Sequence, residues 1–308
     1  MAQTLEALSR RTTSMQGIRS VVHTMKTLSA INSAPYEHAA RAIEAYHHTV
    51  LDGLHALLSQ SAPLDRATAA VAQRVVVVFG SDHGLCGNYN EALATHVAKY
   101  IYPSSDKATT VLCVGAQMTD ALAGNGISVE KAFFPPASVD GIGRLANLLT
   151  QKLDDLQRRS HPRDIAVSLA YFARKKGGTQ APELTPLLPL DSALVRDLGV
   201  KPWASRSLPY FSMAQDDLLR ALVRGHLFAS IFRAAAEAMV TENAARLALM
   251  QQAEQSVDDR LEELKSETRA VRQTEITTEL LDVIIGYEAL KKSEHRYTSA
   301  DTVSIRDF

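Results

Sequence analysis

The chain has 308 residues and a formal net charge of −1, so it is long enough for two domains and carries no large charge excess. A charge this close to zero gives no reason to expect nucleic acid or an anionic membrane surface as a partner. With 46% hydrophobic and 22% charged residues, the composition is that of a soluble globular protein. The longest apolar run, around Val75–Phe79, is too short to span a bilayer, and residues 1–11 lack the apolar core of a signal peptide. We therefore predict no direct membrane insertion, so that any membrane is reached through another subunit.

Residues 1–60 are predicted to form an N-terminal helix that pairs with another helix. Its first seam follows the spacing of a coiled coil and consists of Leu8, Met15, Ile18, Val22 and Met25. A second apolar stripe follows at Ala42, Tyr46, Val50, Leu54 and either Leu57 or Leu58. Pro35 interrupts the pattern between them. Because an internal proline removes a donor and costs about 3 kcal/mol, we expect a kink or a joint near residues 33–35.

Histidines on this helix and two cysteines further on invite a metal-site interpretation. The histidines are His38, His47, His48 and His55, and no carboxylate or cysteine completes a ligand set with them. We interpret them as solvated helix residues. Cys86 and Cys113 show no metal-ligand spacing, which predicts reduced thiols in a cytoplasmic compartment. No metal and no cofactor is predicted.

Residues 73–209 are predicted to form an α/β domain, because β-branched runs alternate with amphipathic segments. Arg74–Gly80 is typical of a strand buried on both faces. Further strands are predicted at Thr109–Val114, Ile127–Phe134 and Ile165–Phe172, with a last extended piece at Glu183–Leu190. Helices are predicted at Glu91–Tyr102, Gln117–Ala123 and Gly141–Arg159. This alternation indicates a mostly parallel sheet.

A glycine-rich turn, Ser81–Asn90, follows the first strand and invites a nucleotide-binding or catalytic interpretation. It matches neither G-x-x-x-x-G-K-[ST] nor G-x-G-x-x-G, and Asp82 would place negative charge beside a bound phosphate. A nucleophile such as Cys86 would need a base and an orienting group within reach, which residues on one short turn rarely provide. We instead predict that Asp82 or Asn90 caps the following helix and that Cys86 packs as a small hydrophobe.

Residues 214–290 are predicted to form one uninterrupted helix, since no proline occurs between Asp216 and Glu288. Its seam has steps of three and four and consists of Met250, Ala253, Val257, Leu261, Leu264, Thr268 and Val271. Neither terminal seam can stay exposed to water. We therefore predict an α/β protein in which the N- and C-terminal helices form a long antiparallel coiled coil with an inserted Rossmann-like α/β domain. Residues 291–308 form a polar tail that we expect to be poorly ordered alone.

Several motifs, in matching order along nearly the whole chain, resemble the gamma subunit of F-type ATP synthases. The turn Ser81–Asn90 resembles the signature S/T-D-R-G-L-C-G-x-x-N. Glu242–Met250 is similar to S-E-x-A-A-R-M-x-A-M, and Arg272–Leu280 matches A-R-Q-x-x-I-T-x-E-L closely. Weaker counterparts are Ile18–Val21 with Thr24 and Lys26, which resembles the opening helix, and Leu187–Leu190.

The chain also departs from the family pattern. His83 stands where arginine or lysine is usual, so its contact with a partner is expected to be weaker or pH-dependent. Ser29, Asn32 and His38 occupy positions where charged residues are common, and Pro35 replaces a helix former. These differences resemble a divergent, alternative form of the subunit.

The resemblance implies a central rotor shaft inside a head of alternating alpha and beta subunits. It implies that the α/β domain binds the epsilon subunit and the membrane ring of c subunits. ATP chemistry would then occur on the partners, so this chain would be non-catalytic. It would lie peripherally at the cytoplasmic face of the inner membrane and couple ion flow to the conformational cycle of the beta subunits.

The same resemblance suggests which residues contact partners. The expected polar contacts are Lys26, Asp82, His83, Arg246, Arg269, Arg272, Gln273 and Glu279. The expected apolar bearing consists of Leu280, Leu281, Val283, Ile284 and Ile285. For Lys26, Arg246 and Arg269 a solvated helix surface is an open alternative, whereas Arg272 and Gln273 belong to a matched motif.

Two other functions stay open at this point. The chain could be a coiled-coil tether that carries a small α/β binding domain, and it would then dimerise through its seam. It could also be an enzyme that uses the Ser81–Cys86 turn. That function would require Cys86 to react faster than Cys113, because a catalytic thiol has a lowered pKa.

Overall fold

The architecture is that of a computed structural model, which describes residues 4–60, 73–102, 109–160, 165–175, 177–203, 205–207 and 209–303, with side chains up to Lys291. The helices are α1 Leu5–Gln60, α2 Tyr89–Ile101, α3 Ala116–Gly124, α4 Val139–Ser160, α5 Ser192–Val200 and α6 Gln215–Val303. The strands are β1 Gln73–Phe79, β2 Thr109–Val114, β3 Lys131–Phe133, β4 Ile165–Arg174 and β5 Gln180–Leu188. No helix within these ranges combines the length and apolar character needed to cross a membrane.

The chain divides into two compact units. The helical unit pairs α1 up to Thr24 with α6 from Gln251 onward, and the central unit contains the residues from Met25 to Met250. The parts of α1 and α6 that pack on the sheet therefore belong to the same unit as the sheet.

The described strands of the central unit form one sheet in the order β3-β2-β1-β4-β5. β1 lies parallel to both β2 and β4, and β2 lies parallel to β3. β5 runs antiparallel to β4. The order β3-β2-β1-β4 is that of a doubly wound sheet, so the predicted Rossmann-like domain between terminal helices is confirmed.

Alternate residues of β1 explain why the sheet is covered on both faces. Val75 and Val77 pack against α1, α4 and α6, whereas Val76 and Val78 pack against α2 and α3. Successive side chains of a strand point to opposite faces, so a run of valines buries both. The continuous apolar run therefore predicted this strand and its two-sided burial correctly.

The helical unit is an antiparallel pair of helices with a mixed seam. Leu8 and Val22 of α1 are buried, as are Leu261 and Leu264 of α6. Arg19 Nε donates to Asp258 Oδ1 at 2.5 Å, and His23 Nδ1 lies 2.9 Å from Glu254 Oε1. Since a higher residue number on α1 meets a lower one on α6, the two helices run in opposite directions.

Some of the predicted seam residues of α1 are placed wrongly. Ile18 retains 47% of its exposure, because the seam follows the seven-residue step through buried Leu8, half-buried Met15 and buried Val22 and leaves Ile18 on a neighbouring face. Ala42 and Tyr46 are also exposed, whereas Val50 and Leu54 of the second stripe are buried as predicted.

Element boundaries differ from prediction at three other places. α1 continues through Pro35 as one helix, so the joint predicted near residues 33–35 is wrong, whereas the kink stays a prediction. The C-terminal helix extends to Val303, into the segment predicted to be poorly ordered, and residues 304–308 lie outside the described part. β3 is shorter than Ile127–Phe134, because the Ile127 N–H donates to Leu122 O at 3.0 Å and so closes the end of α3.

Candidate partner-binding surfaces

The glycine-rich turn after β1 is tied together by its first and last residues. The Ser81 backbone N–H donates to Asn90 Oδ1 at 3.0 Å, and Asn90 Nδ2 donates to Ser81 Oγ at 2.8 Å. Both residues are buried. Leu85 adopts φ 64 and Gly87 φ 66, a left-handed conformation that a leucine rarely takes. The turn thereby holds Leu85 outward, with 52% of its surface exposed.

Asp82 caps a different helix from the one predicted. Its Oδ1 accepts a hydrogen bond from the Ala116 backbone N–H at 3.0 Å, at the first residue of α3. α2 instead begins after Asn88, which makes no side-chain capping bond, and Asn90 is committed to Ser81. The prediction assumed that Asp82 caps the helix that follows it in sequence. Because β1 and β2 are neighbouring parallel strands, the start of α3, which follows β2, lies beside this turn. A carboxylate of the chain itself therefore occupies the α3 N-terminus, where a phosphate would bind.

The thiol of Cys86 is not prepared for nucleophilic chemistry. Its side chain is buried among Val76, Tyr89 and Leu93, as predicted for a small hydrophobe. Burial raises the pKa of the Cys86 thiol, and burial raises the pKa of Cys113 to about 11. Both thiols are therefore protonated near neutral pH, which removes the premise of the enzyme hypothesis.

Arg246 connects α6 to the same turn through a buried ion pair. Its Nη2 lies 2.5 Å from Glu242 Oε1, and the two side chains are only 12% and 7% exposed. The same nitrogen lies 3.5 Å from the His83 carbonyl oxygen. Burial raises the pKa of Glu242, and the guanidinium opposes that shift. The charge of Arg246 is therefore used inside the chain, whereas the side chain of His83 is exposed.

The interpretation of the N-terminal histidines as solvated is wrong for two of them. His47 Nε2 lies 3.0 Å from His226 Nδ1, with His47 half-buried and His226 buried. His55 is 3% exposed, and its Nε2 donates to the Lys201 carbonyl oxygen at 2.7 Å. His47 faces α6, and His55 faces the chain that follows α5. Helical spacing alone does not specify these tertiary contacts. Within the described residues no group of three or more metal-ligand side chains converges.

A cationic groove lies in the helical unit. It encloses a volume of about 500 Å³ and is lined by Leu5, Ser9, Thr12, Thr13, Gln16, Lys265, Thr268, Arg269 and Arg272. Arg269 and Arg272 are both exposed and lie on one side of α6 together with Lys265. Arg269 and Arg272, two of the predicted contact residues, therefore line the same groove. Lys26 lies in the other unit, half-buried on α1.

The C-terminal part of α6 is apolar and exposed. The predicted bearing residues Leu280, Leu281, Val283, Ile284 and Ile285 retain 58%, 53%, 69%, 54% and 63% of their exposure. Ile276, Tyr287 and Leu290 add 51%, 67% and 68%. Gln273 and Glu279 are exposed on the same helix. Scattered apolar residues are normal on a surface, but a continuous stretch of this kind marks an interaction site.

Two features of the surface were not predicted. Phe134 is 82% exposed beside a small hollow of about 270 Å³ between α3 and β3, and the two prolines that follow it were an available signal for a strand end. Arg174 binds Glu37 and Glu237. Nothing in the sequence links these three residues, because they are far apart along the chain and meet only through the topology.

Comparison with known proteins gives a consistent result. A family model described as ATP synthase matches residues 4–290. The ATP synthase gamma chain of Granulibacter bethesdensis is 28% identical over 300 residues, covering 93% of this chain and 99% of that one. The ATP synthase gamma chain of Anaeromyxobacter sp. (strain Fw109-5) is 26% identical over 300 residues with the same coverage, 93% and 99%.

Solved structures share the fold. A chain of the rotor of the Euglena gracilis mitochondrial ATP synthase has a TM-score of 0.58 at 13% identity, covering 88% of this chain and 98% of that one. A chain of the central stalk and c-ring of the Tetrahymena thermophila mitochondrial ATP synthase has a TM-score of 0.53 at 16% identity, covering 76% and 99%. At such identities the likeness concerns the fold alone.

Proposed function

This chain belongs to the gamma-subunit family of ATP synthases, and on that premise we propose that it is the rotor shaft of an F-type enzyme that couples ion flow to ATP chemistry. It is a non-catalytic subunit of the central stalk. Its terminal helices enter a head of alpha and beta subunits, and its α/β domain binds the epsilon subunit and the ring of c subunits. Rotation of the ring turns the shaft, and each beta subunit is driven through its conformations by the face of the shaft that it meets. The subunit is held peripherally at the cytoplasmic face of the membrane by these partners.

The observation that carries this proposal is the exposed apolar end of α6. Burying apolar surface gains about 25 cal/mol per Å², so leaving eight large apolar side chains half or more exposed over 276–290 is costly in water. A ring of apolar side chains in the head, surrounding this end of α6, would remove that cost at every rotational angle of the shaft. A dimerising coiled-coil seam needs only a narrow apolar stripe. Val283–Ile285 are three consecutive exposed apolar residues and lie on different sides of the helix, so this wider apolar surface supports a bearing over a tether.

Coupling needs more than one contact. Shifting a two-state site from mostly one form to mostly the other takes about 5.5 kcal/mol of differential binding. One exposed ion pair supplies about 0–1 kcal/mol. The cationic groove with Arg269 and Arg272, together with Gln273, Glu279 and the apolar end, is a surface large enough to share that energy.

Residues of the central unit are also expected to contact partner subunits. We propose that Lys26 and His83 contact partner subunits directly. Asp82 and Arg246 belong to the same surface but act by holding the turn that presents His83 and Leu85, since their charged groups bind Ala116 and Glu242.

Co-expression with alpha and beta subunits from the same source tests the proposal. Native mass determination should find one copy of this chain with six head subunits, and ATP hydrolysis by the complex should depend on its presence. A free chain, or a self-dimer with no head bound, would contradict the rotor function and favour the tether.

A further inference from the structure

Arg174 lies at the end of β4 and connects the sheet to both terminal helices. Its guanidinium binds Glu237 of α6 at two points, Nε donating to Oε1 at 2.8 Å and Nη2 to Oε2 at 3.0 Å. Nη1 donates to Glu37 Oε1 of α1 at 2.6 Å. The backbone N–H of Arg174 also donates to Glu237 Oε1 at 3.0 Å. One residue of the sheet thus makes directional contacts with two separate helices.

The two carboxylates differ in how well they are shielded from water. The Glu237 side chain is 17% exposed, against 39% for Glu37 and 41% for Arg174. A planar, two-point bond between guanidinium and carboxylate sets direction as well as distance, and partial shielding strengthens it. The contact with Glu237 is therefore the stronger half of this cluster, and the contact with Glu37 is the weaker one.

The apolar packing between the helices and the sheet combines small side chains with larger ones. α6 presents Ala234, Ala235 and Ala238 to the core, and α1 presents Ala39 and Ala40. The alanine side chains make shallow ridges and resist twisting less than the larger side chains of the same core, among them Tyr36 of α1 and Ile231 of α6. Apolar contact has no preferred direction, so directional bonds add to what this packing provides.

Other hydrogen bonds between the sheet side and the helices involve one helix at a time. The Tyr89 hydroxyl donates to the Ala238 carbonyl oxygen at 3.2 Å, and Thr241 Oγ1 lies 3.3 Å from the Phe172 carbonyl oxygen. Both reach α6 and neither reaches α1. Arg174 is bound to both helices at the end of β4, and it adds a directional link to the direct contact of α1 with α6 at His47 and His226.

We propose that Arg174 is the joint through which torque passes between the α/β domain and the terminal helices. It is a positioning residue, since it touches neither nucleotide nor ion and acts by locking the rotation of the helices to that of the domain. This inference rests on the proposed rotor function. With the joint weakened, the helices twist back under load, and each ATP hydrolysed then moves less of the coupled ion.

The test uses the complete ATP synthase, assembled with this chain and reconstituted into vesicles, and compares ATP hydrolysis with ATP-driven uptake of protons or sodium ions. R174Q should keep hydrolysis and lower the ratio of uptake to hydrolysis roughly twofold or more, because charge-assisted bonds to both helices are lost. The loss should grow as the opposing ion gradient builds. R174K, which keeps the charge but not the two-point geometry, should lie between R174Q and the natural chain.

The matched control is R158Q on α4. Arg158 pairs with Asp155 at 3.9 Å on an exposed surface and reaches neither terminal helix, so the same change of charge should leave the ratio unaltered. E37Q, which weakens only the contact to α1, covers the case in which R174Q fails to assemble, and it should lower the ratio by less than R174Q.

The possible outcomes separate the two proposals. If R174Q and E37Q change stability or assembly while the ratio and its dependence on load stay unaltered, Arg174 is only structural and the inference is overturned. If uptake by the natural complex does not depend on this chain at all, the rotor function itself fails.

Discussion

Acidification should loosen the contact between α1 and α6 at His47 and His226. The two ring nitrogens are 3.0 Å apart, and Arg233, His48 and Glu44 are the charged or titratable groups that act on them. Burial lowers the pKa of His226 to about 4 from its ordinary value of 6.5, with further lowering by His47 and Arg233. Burial also lowers the pKa of His47, although Glu44 opposes that shift.

The sign follows from proton uptake by the unfolded chain. Between pH 6.5 and pH 4 the unfolded state binds a proton that folded His226 does not, so the free energy of unfolding falls as the pH falls through that window. Above pH 6.5 the contribution is fully present. With these two pKa values, moving from about pH 7 to about pH 4.5 removes about 2.5 kcal/mol of stability.

Denaturant unfolding at the two pH values measures this loss. The readout is the fluorescence of Trp203, the one tryptophan of the chain, which lies in the central unit with its ring 5.0 Å from that of His55. The double variant H47F H226F keeps two packed rings but cannot take up the proton. Its drop in stability should therefore be smaller than that of the natural chain by ~2.5 kcal/mol for His226, with a further reduction from His47.

The exposed neighbour His48 supplies the control, since H48F removes only one of the smaller causes of the lowered pKa of His47 and should leave most of the drop in place. An equal drop in the natural chain and in H47F H226F, within about 0.5 kcal/mol, would refute the reasoning. It would mean that the pair takes up its proton as readily in the folded state as in the unfolded one.

Three further predictions follow from the described contacts. Truncation before Arg272 should leave the α/β domain folded, by circular dichroism and proteolysis, but weaken the coupling of hydrolysis to ion movement, and unchanged coupling would rule out the bearing. E242Q should cost about 3 kcal/mol in denaturant unfolding, because it leaves a guanidinium buried and unpaired. E263Q, at an exposed pair, should cost much less, and equal losses would argue against the buried pair. G115A should lower the free energy of unfolding by more than about 2 kcal/mol, since Gly115 has φ +106 and a Cβ there would lie 2.4 Å from the Ser81 carbonyl oxygen. A melting temperature equal within error to that of the natural chain would contradict this geometry.

Periodicity was sufficient to predict the main elements, because it reports which side chains leave water. The valine run of β1 gave a two-sided buried strand, and the steps of three and four along α6 gave a seam in which Leu261 and Leu264 are buried. Ile18 shows the limit of that argument. A seven-residue repeat admits more than one choice of face, and only the position of the partner helix decides between them.

Contacts between distant segments could not be predicted from spacing. Asp82 was expected to cap the nearest helix and caps α3 instead, because the parallel pairing of β1 and β2 brings Ala116 within hydrogen-bond distance of it. His47, His55 and Arg174 likewise acquire their partners from the topology. The residues of the candidate site could therefore be predicted from their types, but the partner of each charged group could be identified only from the fold.

The exposed apolar end of α6 also has a consequence for how the chain is produced. A copy made in excess of its partners displays Ile276 to Leu290 with nothing to cover them, and such segments promote self-association and attract chaperones and proteases. If the proposed bearing is correct, the amount of this subunit that persists in a cell is set by the supply of the head that covers this segment. Cells would remove orphan copies, and the ratio of subunits would be corrected after synthesis as well as during it.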